Sequence, residues 1–244
     1  MALEFASKKE TFPKYKVFET ELAGRPFVVE TGKMCGLSNG SCLVRYGETA
    51  VLCNVTMSDK PRDGIDFFPL SVDFEEKLYS VGRIPGSFMR REGKPSLPAV
   101  LASRLIDRPM RPLFPSRVVD RPIRPLFPKD MRNDVSVVMT VMSVDQDCSP
   151  EIAGMIGTSI ALSISDIPWK GPIAGVFMGL VDGELVVNPT EKQREASDLQ
   201  LTVAASAEKI VMIEAGANEV DEATMLKAIK TGDAEIQKII TFIN

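Results

Sequence analysis

Apolar and polar residues alternate along Lys14–Thr20 and again along Pro26–Glu30, with Ala23-Gly24-Arg25 between them. A period of two puts every second side chain on one face, so the pattern predicts a β-hairpin. Ser41–Tyr46 and Thr49–Met57 repeat the alternation across Gly47-Glu48, and Pro69–Phe74 predicts a further strand. Val135–Val144 is β-branched and apolar enough to be a strand covered on both faces. The period then changes. Ile152, Met155, Ile156, Ile160 and Ile164 fall three or four apart, which predicts a helix over Pro150–Ile164, with Gly154 and Gly157 permitting close packing. Ile173–Val181 and Glu184–Val187 flank Asp182-Gly183, a hairpin signal. A short helix is predicted at Glu191–Ala196, strands at Leu199–Ala205 and Ile210–Ala215, and helices at Asp221–Lys230 and Asp233–Phe242.

One stretch resists this reading. Glu75–Gly93 has mixed character and two glycine breaks, Gly82 and Gly86. A helix is expected from Ser96 as N-cap, with Pro98 in its first turn, running through Val100, Leu101 and Leu105. Hairpins are frequent among the mixed strands and helices, so the chain is expected to form α+β layers rather than a doubly wound parallel sheet. We place one globular domain over residues 1–216 and a helical segment over 217–244.

Residues 103–128 are one 13-residue unit written twice, as SRLIDRPMRPLFP and then SRVVDRPIRPLFP. The copies differ only by Leu/Val, Ile/Val and Met/Ile exchanges, and every arginine is kept (Arg104, Arg108 and Arg111, then Arg117, Arg121 and Arg124). Residues 83–132 hold twelve basic and four acidic side chains, against 17 basic and 29 acidic in the rest of the chain. A basic stripe on an acidic body is the footprint of a phosphate-rich partner, because guanidinium groups hold phosphate bidentately and never lose their charge. Salt bridges across the surface are the alternative.

The other chemistry is bounded by absences. No histidine occurs, so a His-based triad, a His metal site and a His proton shuttle are all excluded. Cys35, Cys42, Cys53 and Cys148 have no CxxC spacing and read as small buried thiols. No apolar run is as long as a membrane span, and Met1–Lys16 has no secretory apolar core, so a cytoplasmic protein is expected.

Several stretches in order carry a resemblance. They include Asp66–Leu70, Val81–Arg91, Ser103–Pro115, Arg132–Val135, Ser143–Asp147, Met155–Pro168, Gly171–Ile173, Gly183–Thr190 and Val211–Gly216. Together they resemble the first ribonuclease PH-like core of the polynucleotide phosphorylase family, from about Val17 to the end. The resemblance implies a βαβα core of mixed sheets packed with helices, leading into the start of a helical linker. It implies phosphorolysis of single-stranded RNA from the 3′ end, with inorganic phosphate as nucleophile and Mg2+ as the metal of the full-length enzyme. It also implies a homotrimeric ring of two-core chains. No metal is expected on this chain alone.

By the same resemblance, Phe88, Arg90 and Arg91 fall on an RNA-gripping loop, where an aromatic ring stacks on any base and guanidinium groups hold phosphates. Met89 stands where the family usually has a second aromatic. Arg104 and Arg108 fall near the phosphate and RNA path. The family pattern has a single copy of the repeated unit. Copy one keeps the upstream helix contiguous and copy two keeps the downstream junction; we expect copy one in the native helix and copy two as a surface excursion. Catalytic residues are expected to be absent. Ser149-Pro150-Glu151 stands where the active core has consecutive serines, and Gln200 and Thr202 stand where it has Asp and Lys. Two other readings stay open: a self-sufficient phosphorolytic ribonuclease with metal on Asp145, Asp147 or Asp198, and a pure assembly module of the ring.

Overall fold

The computed structural model describes residues 12–84, 119 and 122–244. The first sheet holds β1 (Lys16–Leu22), β2 (Arg25–Thr31), β3 (Gly40–Tyr46), β4 (Thr49–Pro61), β5 (Leu70–Glu76) and β6 (Asn133–Ser143), in the order β1-β2-β3-β4-β6-β5. The first four strands pair antiparallel, as successive hairpins must, and β6 also pairs antiparallel with β4 although β5 lies between them in the chain. β5 lies parallel to β6, with Leu70 opposite Val135 and Phe74 opposite Met139. Residues 77–132 make that crossover, which includes a 3-10 turn at Leu78–Val81 and another at Arg124–Leu126. The second sheet is antiparallel, in the order β10-β9-β7-β8, from β7 (Ile173–Val181), β8 (Glu184–Val187), β9 (Leu199–Ser206) and β10 (Ile210–Ala217).

Helix α1 (Pro150–Ser163) joins the two sheets. Every residue from Ile152 to Leu162 is buried, so the helix has no solvent face. Its glycines explain how both sides are occupied. A Cβ on Gly157 would lie 2.6 Å from Cys53 Sγ and 2.8 Å from Val44 Cγ2, in the first sheet. On the far side, Met155 abuts Gly175 of β7, whose own Cβ would lie 2.4 Å from Met155 Sδ. Ser159 Oγ accepts the Ile173 amide at 3.0 Å, tying the helix to the start of the second sheet. Outside that sheet, α2 (Glu191–Glu195) is closed by a capping box between Thr190 and Gln193. Helix α3 (Glu222–Ile243) starts at Asp221, whose carboxylate accepts the Thr224 amide at 2.9 Å.

Three expectations change. The two C-terminal helices are one: α3 runs through Gly232, where a Cβ would stand 3.3–3.4 Å from Met178, Val176 and Val203. That glycine lets the helix lie close on the sheet rather than ending it. Along the helix Ala228, Ile236, Ile239 and Ile240 are buried in the core. Cys35, expected to be a buried thiol like the other three, is exposed. Copy two of the repeat is no surface excursion. Val119 and Ile123 are fully buried, and Leu126 and Phe127 nearly so. Four apolar side chains had to find cover, and the core supplies it. The helix expected from Ser96, and copy one, lie outside the described residues.

Candidate nucleic-acid interface and the place of catalysis

The N-terminus of α1 is where orphan backbone amides and the helix dipole would gather an anion. The sequence fills it from within. Ser149 Oγ accepts the Ile152 amide and donates to the Glu151 carboxylate. Pro150 brings no amide of its own. Glu151 puts a negative charge in the first turn, which suits the dipole and repels phosphate. Glu76, at the end of β5, adds to this; burial and the Glu151 charge hold its carboxyl above the usual range.

The second sheet completes the picture. Gly175 pairs with Ala204 on the face that meets Met155 of α1. Two residues along, Thr202 pairs with Phe177, and two further Gln200 pairs with Gly179, so both residues share that face. A hydroxyl and an amide there offer neither the carboxylate for a metal nor the cation for a developing charge.

The loop leading into α1 is clamped. Arg25 Nη1 donates to the Asp147 carbonyl at 2.5 Å, the Asn188 carbonyl at 3.2 Å and the Tyr46 hydroxyl at 3.4 Å. Arg194 Nη2 donates to the Gln146 carbonyl at 2.6 Å. Asp145 Oδ1 accepts the Asp147 amide, and Asp147 Oδ1 accepts the Glu191 amide, each at 3.0 Å. Both carboxylates, candidates for metal, thus serve backbone donors. Among the described residues no group of three or more Asp, Glu, Cys or His could hold a metal ion. Beside the clamp, burial and then Asp145 push the Cys148 thiol up to about 11, which keeps it protonated and inert. Sequence reasoning missed the role of Arg25, because a turn arginine carries no signal of its long-range carbonyl partners.

The basic stripe divides. Phe88, Arg90, Arg91, Arg104 and Arg108 lie outside the described residues. Of the described members, Arg124 donates to the Phe68 and Leu70 carbonyls at 3.2 and 3.1 Å. Arg132 donates to the Lys129 and Met131 carbonyls at 3.0 and 2.8 Å. These two guanidiniums hold the crossover together and are not simply presented to a partner. Arg83 and Lys129 are exposed.

Comparison with known proteins agrees with this architecture. Rrp46 from rice superposes with a TM-score of 0.61 over 93% of this chain and 92% of that one, at 15% identity, which speaks to the fold alone. The polyribonucleotide nucleotidyltransferase of Ruminiclostridium cellulolyticum is 60% identical over 94% of this chain, and that of Clostridioides difficile 58% over 94%. In each case the chain spans 31% of the relative's length. No described helix is long and apolar enough to cross a membrane. Residues 23–168 match the model of the 3′ exoribonuclease family, domain 1, and residues 171–235 that of its domain 2, so the chain belongs to the ribonuclease PH-type 3′ exoribonuclease family.

Proposed function

We propose that this chain is the RNA-guiding, non-catalytic first core of a phosphate-dependent 3′–5′ exoribonuclease that works in RNA degradation in the cytoplasm. In that assembly single-stranded RNA runs past the basic stripe, and inorganic phosphate and Mg2+ act at a neighbouring active core of a homotrimeric ring. The observation that carries the reading is the α1 N-terminus, where Ser149 is turned onto Glu151 and Ile152 instead of toward an incoming anion. The charge imbalance of residues 83–132 supports the binding half. The likeness to polyribonucleotide nucleotidyltransferases supports the pathway.

Two measurements on the purified chain test this. With a short RNA, phosphate and magnesium, no nucleoside diphosphate is released; its release would establish the self-sufficient enzyme instead. RNA binding weakens steeply with salt, and Arg90→Ala with Arg91→Ala flattens the slope by about one to two ions, since each lost phosphate contact removes close to one. Binding that ignores salt would assign the arginines to subunit contacts.

A further inference from the structure

The cleft that receives copy two of the repeat reads a short sequence, and the chain carries that sequence twice. Phe127 lies with its ring centroid 4.8 Å from Phe68 and 6.3 Å from Trp169. The Leu126 carbonyl accepts the Lys170 amide at 2.8 Å. Arg124 sits 6.0 Å over the Phe68 ring while donating to the carbonyls of Phe68 and Leu70. Val119 and Ile123 are wholly enclosed. The residues thirteen positions earlier are Ile106, Met110, Arg111, Leu113 and Phe114. The two ring-and-guanidinium anchors and Leu126 are thus repeated without change. Met110 is close in volume to Ile123, an exchange that shifts an equilibrium by about tenfold or less, and Ile106 is one methylene larger than Val119.

We propose that the cleft is a docking site for either copy, so that Ser103–Pro115 replaces Ser116–Pro128 in a second register thirteen residues away. Chain connectivity favours neither register strongly. With copy two docked the extra thirteen residues fall before it; with copy one docked they fall after it, and the loop-closure cost is alike to first order. Ile106 and Met110 take the places of Val119 and Ile123, and Arg111 takes over the carbonyls of Phe68 and Leu70. The exchange therefore alters which guanidinium, that of Arg124 or that of Arg111, is held by the carbonyls of Phe68 and Leu70.

The test uses three variants of the full chain: Phe114→Asp, Phe127→Asp and both together, each unfolded in urea. A carboxylate cannot enter a cleft lined by Phe68 and Trp169. If the copies substitute for each other, each single variant leaves the midpoint close to that of the parent, and the double variant lowers it by more than the two single shifts combined. Deleting residues 103–115 should then make Phe127→Asp as damaging as the double variant. If Phe127→Asp alone lowers the midpoint as far as the double variant does, copy one cannot dock and the proposal fails. A double variant as stable as the parent overturns it equally, because the cleft would then need neither copy.

Discussion

Gly157 is the position where the packing of α1 can be weighed most directly. Replacing it with alanine brings a methyl group to 2.6 Å from Cys53 Sγ and 2.8 Å from Val44 Cγ2. Both neighbours have no solvent exposure, and they sit on adjacent strands whose register is fixed, so neither can swing away. Overpacking of that kind costs about 1–3 kcal/mol, and two simultaneous overlaps place the cost near the upper end. Helix propensity works the other way, since alanine is favoured over glycine by about 1 kcal/mol in a helix interior. The packing term wins, leaving a net loss of about 2 kcal/mol, or a fall in Tm of about 4–8 °C for a chain of this size. Urea unfolding followed by far-UV circular dichroism measures the loss. Cys53→Ala removes one of the two overlapping atoms, so in the Gly157→Ala background it recovers part of the loss, with a coupling of about 1 kcal/mol. A neutral or stabilised Gly157→Ala would show that α1 is not gripped from the first sheet. Strictly additive effects would show that Cys53 is not what it meets.

Arg25→Ala leaves the carbonyls of Asp147 and Asn188 without their donor and lowers stability by about 2 kcal/mol in the same urea titration; an unchanged midpoint would show that this clamp does not hold the 145–148 loop. Glu76 has a folded-state pKa raised by burial and by Glu151, so its contribution is complete below the ordinary glutamate range and is lost as pH rises through the raised value. Stability curves for Glu76→Gln should therefore gain on the parent across that window, by an amount reduced because Glu76 is still exposed to water; parallel curves would refute the shift. Iodoacetamide at pH 8 should add one label to the native chain, at exposed Cys35, as Cys42, Cys53 and Cys148 are buried. Mass spectrometry showing two or more labels would contradict that burial.

The fold was largely legible because its strands and α1 are written in clean periods. Lys14–Thr20 and Pro26–Glu30 became β1 and β2, and the apolar run after Asn133 became β6, covered by neighbours on both edges. What failed did so for tertiary reasons. Thr231-Gly232 looks like a helix break, and only the presence of Met178 and Val203 beneath it shows why a glycine belongs inside α3. The fate of copy two could not be read from composition, since the copies are near-identical and nothing in either shows the cleft around Phe68 and Trp169 that covers Phe127. At the site, it was the resemblance that set Ser149-Pro150-Glu151, Gln200 and Thr202 against the serines, Asp and Lys of an active core. The clamp of Arg25 and Arg194 on the 145–148 loop was not, because each contact joins residues far apart in the chain.

β5 and β6 run side by side in the same direction, and this gives the molecule a place to grow. A chain leaving Glu76 must return to Asn133 at the opposite end of the sheet, so both ends of the excursion are pinned by the pairing of β5 with β6. Lengthening that excursion by the thirteen repeated residues adds only about 0.2 kcal/mol of closure cost, because the cost rises with the logarithm of length. Neither sheet has to be rebuilt to absorb the change. A lineage can therefore vary the reach and charge of this arm by copying short stretches of it, while selection on the strands continues undisturbed.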